Sequence, residues 1–199
     1  MIVASGGAGP IYALPGSSAV CPACSAVVIP KCGPIVTWHW AHKARDCDPW
    51  SEPESAWHLG WKQFAHRSEV VIERDGVKHR ADIVDRAGVV VELQSSYLPA
   101  VEIWERERFY GRMVWLYRST WLDRLHFGPR GFWWKHGSKA MAMSREPVFW
   151  DVLGEGEVWL VRLNVVTRYD GSERVLGRIT GRCTPAEFAA KIAKEVKAA

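Results

Sequence analysis

Four of the chain's five cysteines, Cys21, Cys24, Cys32 and Cys47, fall within residues 21–47. An odd number of thiols crowded into one short stretch points to metal ligation more than to a disulfide framework. In Cys21-Pro22-Ala23-Cys24 the two intervening residues let both thiolates turn toward one ion, and the four residues between His42 and Cys47 allow a second knuckle. Cys21, Cys24, His42 and Cys47 are therefore the candidate zinc ligands, with Cys32 and His39 as competitors and free thiols as the alternative. No ligand position is left for water, so the ion would be structural. Residues 1–50, rich in Gly, Pro, Cys and Ser and poor in periodicity, read as a small metal-stapled module rather than a packed layer. Cys183 stands apart and reads as a buried thiol.

The remainder has the composition of a globular protein. The whole chain's 199 residues are 48% apolar and 24% charged, which excludes fibrous and disordered classes. No apolar run approaches the roughly 18 residues of a spanning helix. Met1–Gly9 has no basic residue ahead of its apolar stretch, so a cytoplasmic chain with no membrane partner is expected. Twelve tryptophans, each with an indole N–H to satisfy, predict aromatic packing around polar sites as well as a core. The net charge of +4 is uneven: residues 51–100 carry −2 and residues 101–150 carry +4. A carboxylate metal site beside a phosphate-binding surface leaves such a polarity, as does an ordinary solvated face.

The order of elements is legible along the chain. Ser51 and Glu54 have the form of a capping box opening a helix over about 53–67. On it Trp57, Trp61 and Phe64 form an apolar stripe, and Glu54, His58 and Lys62 a polar one. Strands are expected at Glu69–Glu73, Val77–Val84 and Gly88–Gln94, the first two joined by the hairpin signal Asp75-Gly76. Pro99 opens a helix over about 99–111, where Val101, Trp104 and Arg108 fall on recurring turns, and Met113–Tyr117 forms the next strand. Together these read as an α/β sandwich whose meander carries one crossover to a parallel strand. Beyond residue 120, strands are expected at Val148–Leu153, Val158–Val165 and Arg174–Ile179. Thr184-Pro185-Ala186-Glu187 starts a closing helix to about Lys197.

Asp82 and Glu92 lie on two neighbouring expected strands, and Gln94, two residues beyond Glu92, shares its face. Two carboxylates aimed at one point need a cation between them, and Mg²⁺ is the ordinary one; a strand edge with solvated acids is the bland alternative. Their context is more specific. A helix with a glutamate precedes His79-Arg80-Ala81-Asp82-Ile83-Val84 and then Val89-Val90-Val91-Glu92-Leu93-Gln94-Ser95-Ser96. That order resembles the PD-(D/E)XK nuclease core, and more narrowly the competence protein CoiA-like family of predicted nucleases. The same family likeness extends to Cys21-Pro22-Ala23-Cys24 followed by His39-Trp40-Ala41-His42. It takes in Glu54, His58 and Lys62, and Glu105-Arg106 with Phe109-Tyr110 before Val114-Trp115-Leu116. It covers about residues 11–118, with looser similarity through Trp133-Trp134-Lys135 and Pro147–Asp151.

The resemblance implies a restriction-endonuclease-like α/β core over residues 51–120. A zinc-binding module would precede it at 1–50, and a basic, aromatic segment with a mixed β/α extension would follow at 121–199. It implies Mg²⁺- or Mn²⁺-dependent hydrolysis of DNA, single strands included. Asp82 and Glu92 would hold the ion with the Leu93 carbonyl, and Glu54 would join directly or through water. Gln94 stands where the general nuclease motif has lysine, and the CoiA-like family is itself written with glutamine there; a neutral amide orients water without supplying charge. Lys62 or Lys78 could supply the cation, and His58 and His79 could carry protons. His58 could equally pack beside Trp57 or Trp61, and Arg80 pair with an acid. Arg80, Arg106, Arg130 and Lys135 are the candidate phosphate contacts, with Tyr110 read as bracing. Segment 103–139 sets eight basic residues against three acidic ones and adds Trp121, Phe132, Trp133 and Trp134. Adjacent Trp133 and Trp134 should point to opposite sides. A noncatalytic DNA-binding or adaptor module and an RNA nuclease are the rival readings.

Overall fold

Sheets dominate the mixed α/β architecture. A computed structural model describes the chain except for Ala8, Val36, Arg45, Asp46, Glu52, Pro53, Gly154, Ala189 and residues 191–199. It divides into two compact units, Met1–Val84 and Asp85–Ala199. No helix of the described residues is long and apolar enough to cross a membrane.

In the first unit, β1 (Val3–Gly6), β2 (Gly9–Tyr12), β3 (Ala19–Val20), β4 (Val27–Lys31) and β5 (His39–His42) form an antiparallel five-stranded sheet in the order β2-β1-β3-β4-β5. This corrects the expectation of a module without a packed layer. Its strands are too short to show periodicity, yet four of the five bury one small or apolar residue. Ala4, Ala19, Val28 and Trp40 close with Met1, Ala13 and Cys21 into a core of their own. The Trp40 indole N–H donates to the Ile11 carbonyl at 3.0 Å, so this buried ring leaves no polar group unmet.

Helix α1 (Ala56–Lys62) is shorter than the expected 53–67. The cap is Ser55, whose hydroxyl accepts from the His58 N–H; Ser51 instead donates its hydroxyl to the Asp48 carbonyl at 2.8 Å. Glu54 therefore precedes the helix. His58 and Trp61 form the buried face and Phe64 is exposed, so the expected apolar stripe is also corrected. The hairpin of β6 (Arg67–Arg74) and β7 (Val77–Val84) forms as read. Asp75 at φ 51° and Gly76 at φ 77° supply the two left-handed residues that a tight, right-twisted hairpin turn requires.

The second unit contains β8 (Val90–Gln94), α2 (Ala100–Tyr110) and β9 (Met113–Ser119), with β8 and β9 parallel across the helix. This is the expected crossover. All five residues of β8 are buried, as in a strand covered on both faces. Helix α2 turns a mixed face inward, Ile103, Arg106, Glu107 and Tyr110, while Val101 and Arg108 are exposed. There the apolar spacing picked the wrong side, because two charged residues take interior positions.

β10 (Leu125–Gly128), β11 (Gly131–Trp134), the short α3 (Lys139–Ala142), β12 (Val148–Val152), β13 (Glu157–Thr167) and β14 (Glu173–Cys183) follow, and the unit's strands run β10-β11-β14-β13-β12-β9-β8. The β10–β11 hairpin was not expected. At its end, residues 185–188 are helical behind a reciprocal cap, in which Thr184 N–H donates to Glu187 and Glu187 N–H to Thr184 Oγ1. The continuation expected from residue 191 lies outside the described residues.

The tryptophan excess has a place in both units. Trp150, fully buried, meets the rings of Trp121, Phe132 and Trp134 and donates to Met141 Sδ at 3.3 Å. Trp134 is buried and Trp133 half-buried, on opposite faces as expected. Trp50 lies flat on His79 with ring centroids 3.3 Å apart, an aromatic contact at a polar site.

Candidate functional site

Two clusters in the first unit concentrate reactive side chains. In the first, the loop after β3 turns back on itself. Cys21 N–H donates to Ala26 O, Ser25 N–H to Cys21 O, and Ser25 takes the left-handed region at φ 62°. Cys21 and Cys24 thereby face the same side as His42, the last residue of β5, and Cys47 just beyond. Their ligand atoms all lie within 4.8 Å of one another. Cys21 Sγ is 3.7 Å from Cys47 Sγ, and Cys24 Sγ is 3.3 Å from His42 Nε2. A tetrahedral ion with Zn–S bonds of about 2.3 Å sets sulfur–sulfur edges of about 3.8 Å and slightly shorter sulfur–nitrogen edges. The four donors fit such an ion, and the group could hold a metal.

Burial opposes ionisation of Cys24, but the Ala26 N–H, His42, Cys47 and Cys21 outweigh it and hold that thiol at about 7. Burial and then the neighbouring sulfurs push Cys47 up. His39 is outside the group, its Nδ1 2.6 Å from the Thr37 carbonyl, and Cys32 packs on the module's core. Cys183 is half-buried and 3.8 Å from the Val158 carbonyl.

The residue after Cys47 pins this segment to the hairpin. Asp48, almost fully buried, lies 2.8 Å from His79 Nδ1 and accepts from Arg80 N–H at 2.7 Å and Trp50 N–H at 3.0 Å. His79 is thus engaged structurally, and Asp48, read only as the end of a module, is a missed anchor.

The second cluster surrounds Lys62. Its ammonium lies 2.9 Å from Glu54 Oε1, 3.1 Å from Asp82 Oδ1 and 3.4 Å from Glu69 Oε1. The Met1 amino group is 3.9 Å from both glutamates. Glu69 also accepts from the N–H groups of Ile2 and Val3 at 2.6 and 3.0 Å. It is in the left-handed region at φ 55°, between the pairs Ser68↔Ile83 and Val70↔Ala81 and hence opposite Asp82. Nothing in the sequence marks Glu69, a charged residue on a half-polar strand.

Burial raises Glu54 above the usual carboxylate range, against the pull of Lys62. Burial also works against Glu69, but Lys62, the Met1 amine, Arg80 and the Val3 N–H overcome it and lower that carboxyl to about 2. Lys62 itself loses by burial and gains more from Asp82, Glu69 and Glu54, so its pKa rises. Of the three acids, Asp82 is the one open to water, with 24% of its side chain exposed against 4% and 5% for Glu54 and Glu69. His58 is buried, its Nδ1 2.7 Å from the hydroxyl of its own cap, Ser55. Lys78 pairs with Glu73 on the exposed part of the hairpin.

In the second unit, Glu92 is buried and accepts from Arg106 Nη1 at 3.0 Å, while Arg106 Nε donates to Glu102 at 3.1 Å. Burial opposes the Arg106 charge, and Glu92 and Glu102 together more than restore it. Gln94 donates its amide to the Ser96 carbonyl and hydroxyl at 3.2 and 3.1 Å. Arg130 and Lys135 are exposed. A further buried acid, Glu107, accepts from Trp115 Nε1 and from Ser144 and Arg145, and ties α2 to the segment before β12.

Fold and site thus define a sheet-dominated α/β protein with an N-terminal Cys/His group that could hold a metal. Residues 16–49 match the family described as Competence protein CoiA, N-terminal domain. That match covers the segment that carries all four Cys/His donors. No curated protein and no solved structure matches the chain.

Elemental analysis of the purified chain should find one zinc ion, and Cys24→Ser should lower that content and the thermal midpoint together; a folded, metal-free wild type would contradict the ligand set. Glu69 gives a second test. Its folded pKa of about 2 lies below the ordinary 4.5. Its contribution is therefore full above pH 4.5 and lost as pH falls toward 2. Urea unfolding should show Glu69→Gln costing on the order of 3 kcal/mol at neutral pH and flattening the acid limb; an unchanged limb would contradict it.

Proposed function

We propose that the chain is a divalent-metal-dependent nuclease that hydrolyses DNA phosphodiester bonds on a PD-(D/E)XK-type core, with zinc held structurally by Cys21, Cys24, His42 and Cys47. The Lys62 cluster carries this reading. Its three acids offer carboxylate oxygens, the donors that Mg²⁺ and Mn²⁺ take, and the solvent-open one is Asp82. Support comes also from β8, where Glu92 and Gln94 stand at the carboxyl end of a parallel strand that leads into a crossover helix, the usual ligand end of such strands.

In this reading the sequence resemblance assigns the ion to Asp82 and Glu92, with Glu54 as a further acid. A bound divalent ion supplies a water of lowered pKa and charge to offset the phosphate. Lys62, 3.1 Å from Asp82, fixes that carboxylate and brings to it the positive charge that Gln94 lacks. Gln94, held by Ser96, orients rather than takes a proton. His58 is bonded to Ser55, which favours a packing part over proton transfer.

A second reading has an observation of its own. Arg106 already compensates Glu92, both buried, as a fold that keeps its charges for stability rather than for an ion would arrange them. On that reading the chain is a noncatalytic DNA-binding or adaptor module.

Incubation of the purified chain with Mg²⁺ and single-stranded DNA, duplex DNA or RNA separates these. Cleavage of DNA, slowed on the order of 100-fold or more by Asp82→Asn and by Glu92→Gln, is the expected result. No cleavage of any substrate, or cleavage indifferent to both substitutions, would overturn the nuclease reading; cleavage of RNA alone would overturn the substrate.

A further inference from the structure

Away from both clusters, the second unit carries a basic face on its long strands. β13 and β14 pair with Arg162 opposite Arg178 and Asn164 opposite Leu176, and all four are exposed. Arg130, which precedes β11, joins them in lining a groove of about 420 Å³. No Asp or Glu lines it, and none of the three arginines forms an ion pair among the described residues. Like charges directly opposite on antiparallel strands repel, and among the described residues no acidic side chain pairs with either arginine. An anionic partner would.

Beside the groove the same face presents a stack. Trp133 pairs with Leu176 on one side and with His126 on the other, because β11 lies between β14 and β10. Its ring is parallel to His126, with centroids 4.0 Å apart, and the Arg174 guanidinium stands 4.6 Å from its centre. Arg174 is on β14, so the column runs His126, Trp133, Arg174 across three strands. Flat cationic and aromatic groups in one column are a stacking platform that an unpaired base can extend at the exposed His126 end. Arg178 follows Leu176 by two residues on β14, roughly 7 Å along the strand, so charge and platform are close enough to serve one chain of nucleotides.

We propose that this face binds single-stranded DNA, with Arg130, Arg162 and Arg178 on its phosphates and the His126–Trp133–Arg174 column against its bases. The groove's charge alone would also suit an acidic protein, but the column favours unpaired bases, and a duplex keeps its bases from it. The proposal rests on DNA as the partner in the nuclease reading, but not on cleavage or on Mg²⁺.

Fluorescence anisotropy of the full chain with labelled oligothymidylate, in magnesium-free buffer over a range of salt, tests it without turnover. The wild type should bind the single strand more tightly than a duplex of the same length or polyglutamate. R162Q/R178Q should weaken binding on the order of tenfold and reduce the slope of log affinity against log salt by about 1.4. R162K/R178K, which keeps both charges, should retain the slope and serves as the folded control. Equal binding of polyglutamate or duplex, a wild-type affinity indifferent to salt, or an unchanged slope in R162Q/R178Q would overturn the proposal. Failure of cleavage with binding intact would leave this face standing and remove only the nuclease reading.

Discussion

A carboxylate taken out of water must meet a cation or several N–H donors, and the interiors of both units are arranged around that constraint. In the first unit one ammonium, Lys62, faces Glu54, Glu69 and Asp82. Asp48 is satisfied by two backbone N–H groups and the His79 ring. In the second unit Arg106 meets Glu92 and Glu102, and Glu107 collects an indole, a hydroxyl and a backbone N–H. Removing a single cation from such a group leaves a buried charge without compensation, which costs far more than the pair contributes when intact.

The N-terminal sheet is bound by a different limit. Strands of two to five residues over a core of Ala4, Ala13, Ala19, Val28 and Trp40 bury little area. A small module of this kind generally needs a staple, and the four donors at Cys21, Cys24, His42 and Cys47 draw the β3–β4 turn and the end of β5 to one point. Asp48, next in sequence to the last donor, carries that order on to β7 through His79 and Arg80.

What was legible in the sequence was what short range determines. The Cys/His set follows from local spacing, the β6–β7 hairpin from Asp75-Gly76, and the parallel strand after α2 from an apolar run behind a helix of the right length. Glu54, Lys62 and Asp82 were singled out, and they meet, although Glu54 does so from the segment before α1 rather than from the helix. The inner face of α2 was hidden because Arg106 and Glu107 take interior positions that apolar periodicity assigns to solvent. Glu69 was hidden because its burial depends on cations supplied from elsewhere in the chain. Arg162 and Arg178 come from separate strands and face each other only through pairing. Neither has a neighbour in sequence that signals the other.

The proposed metal-dependent centre is tested most directly by Mn²⁺ binding, measured calorimetrically on the purified chain and on Asp82→Asn, since this needs no substrate. The wild type should bind Mn²⁺ at a site that Asp82→Asn loses while keeping its zinc and its thermal transition. Equal Mn²⁺ binding by the two proteins, or none by the wild type, would contradict a hydrolytic metal centre at Asp82.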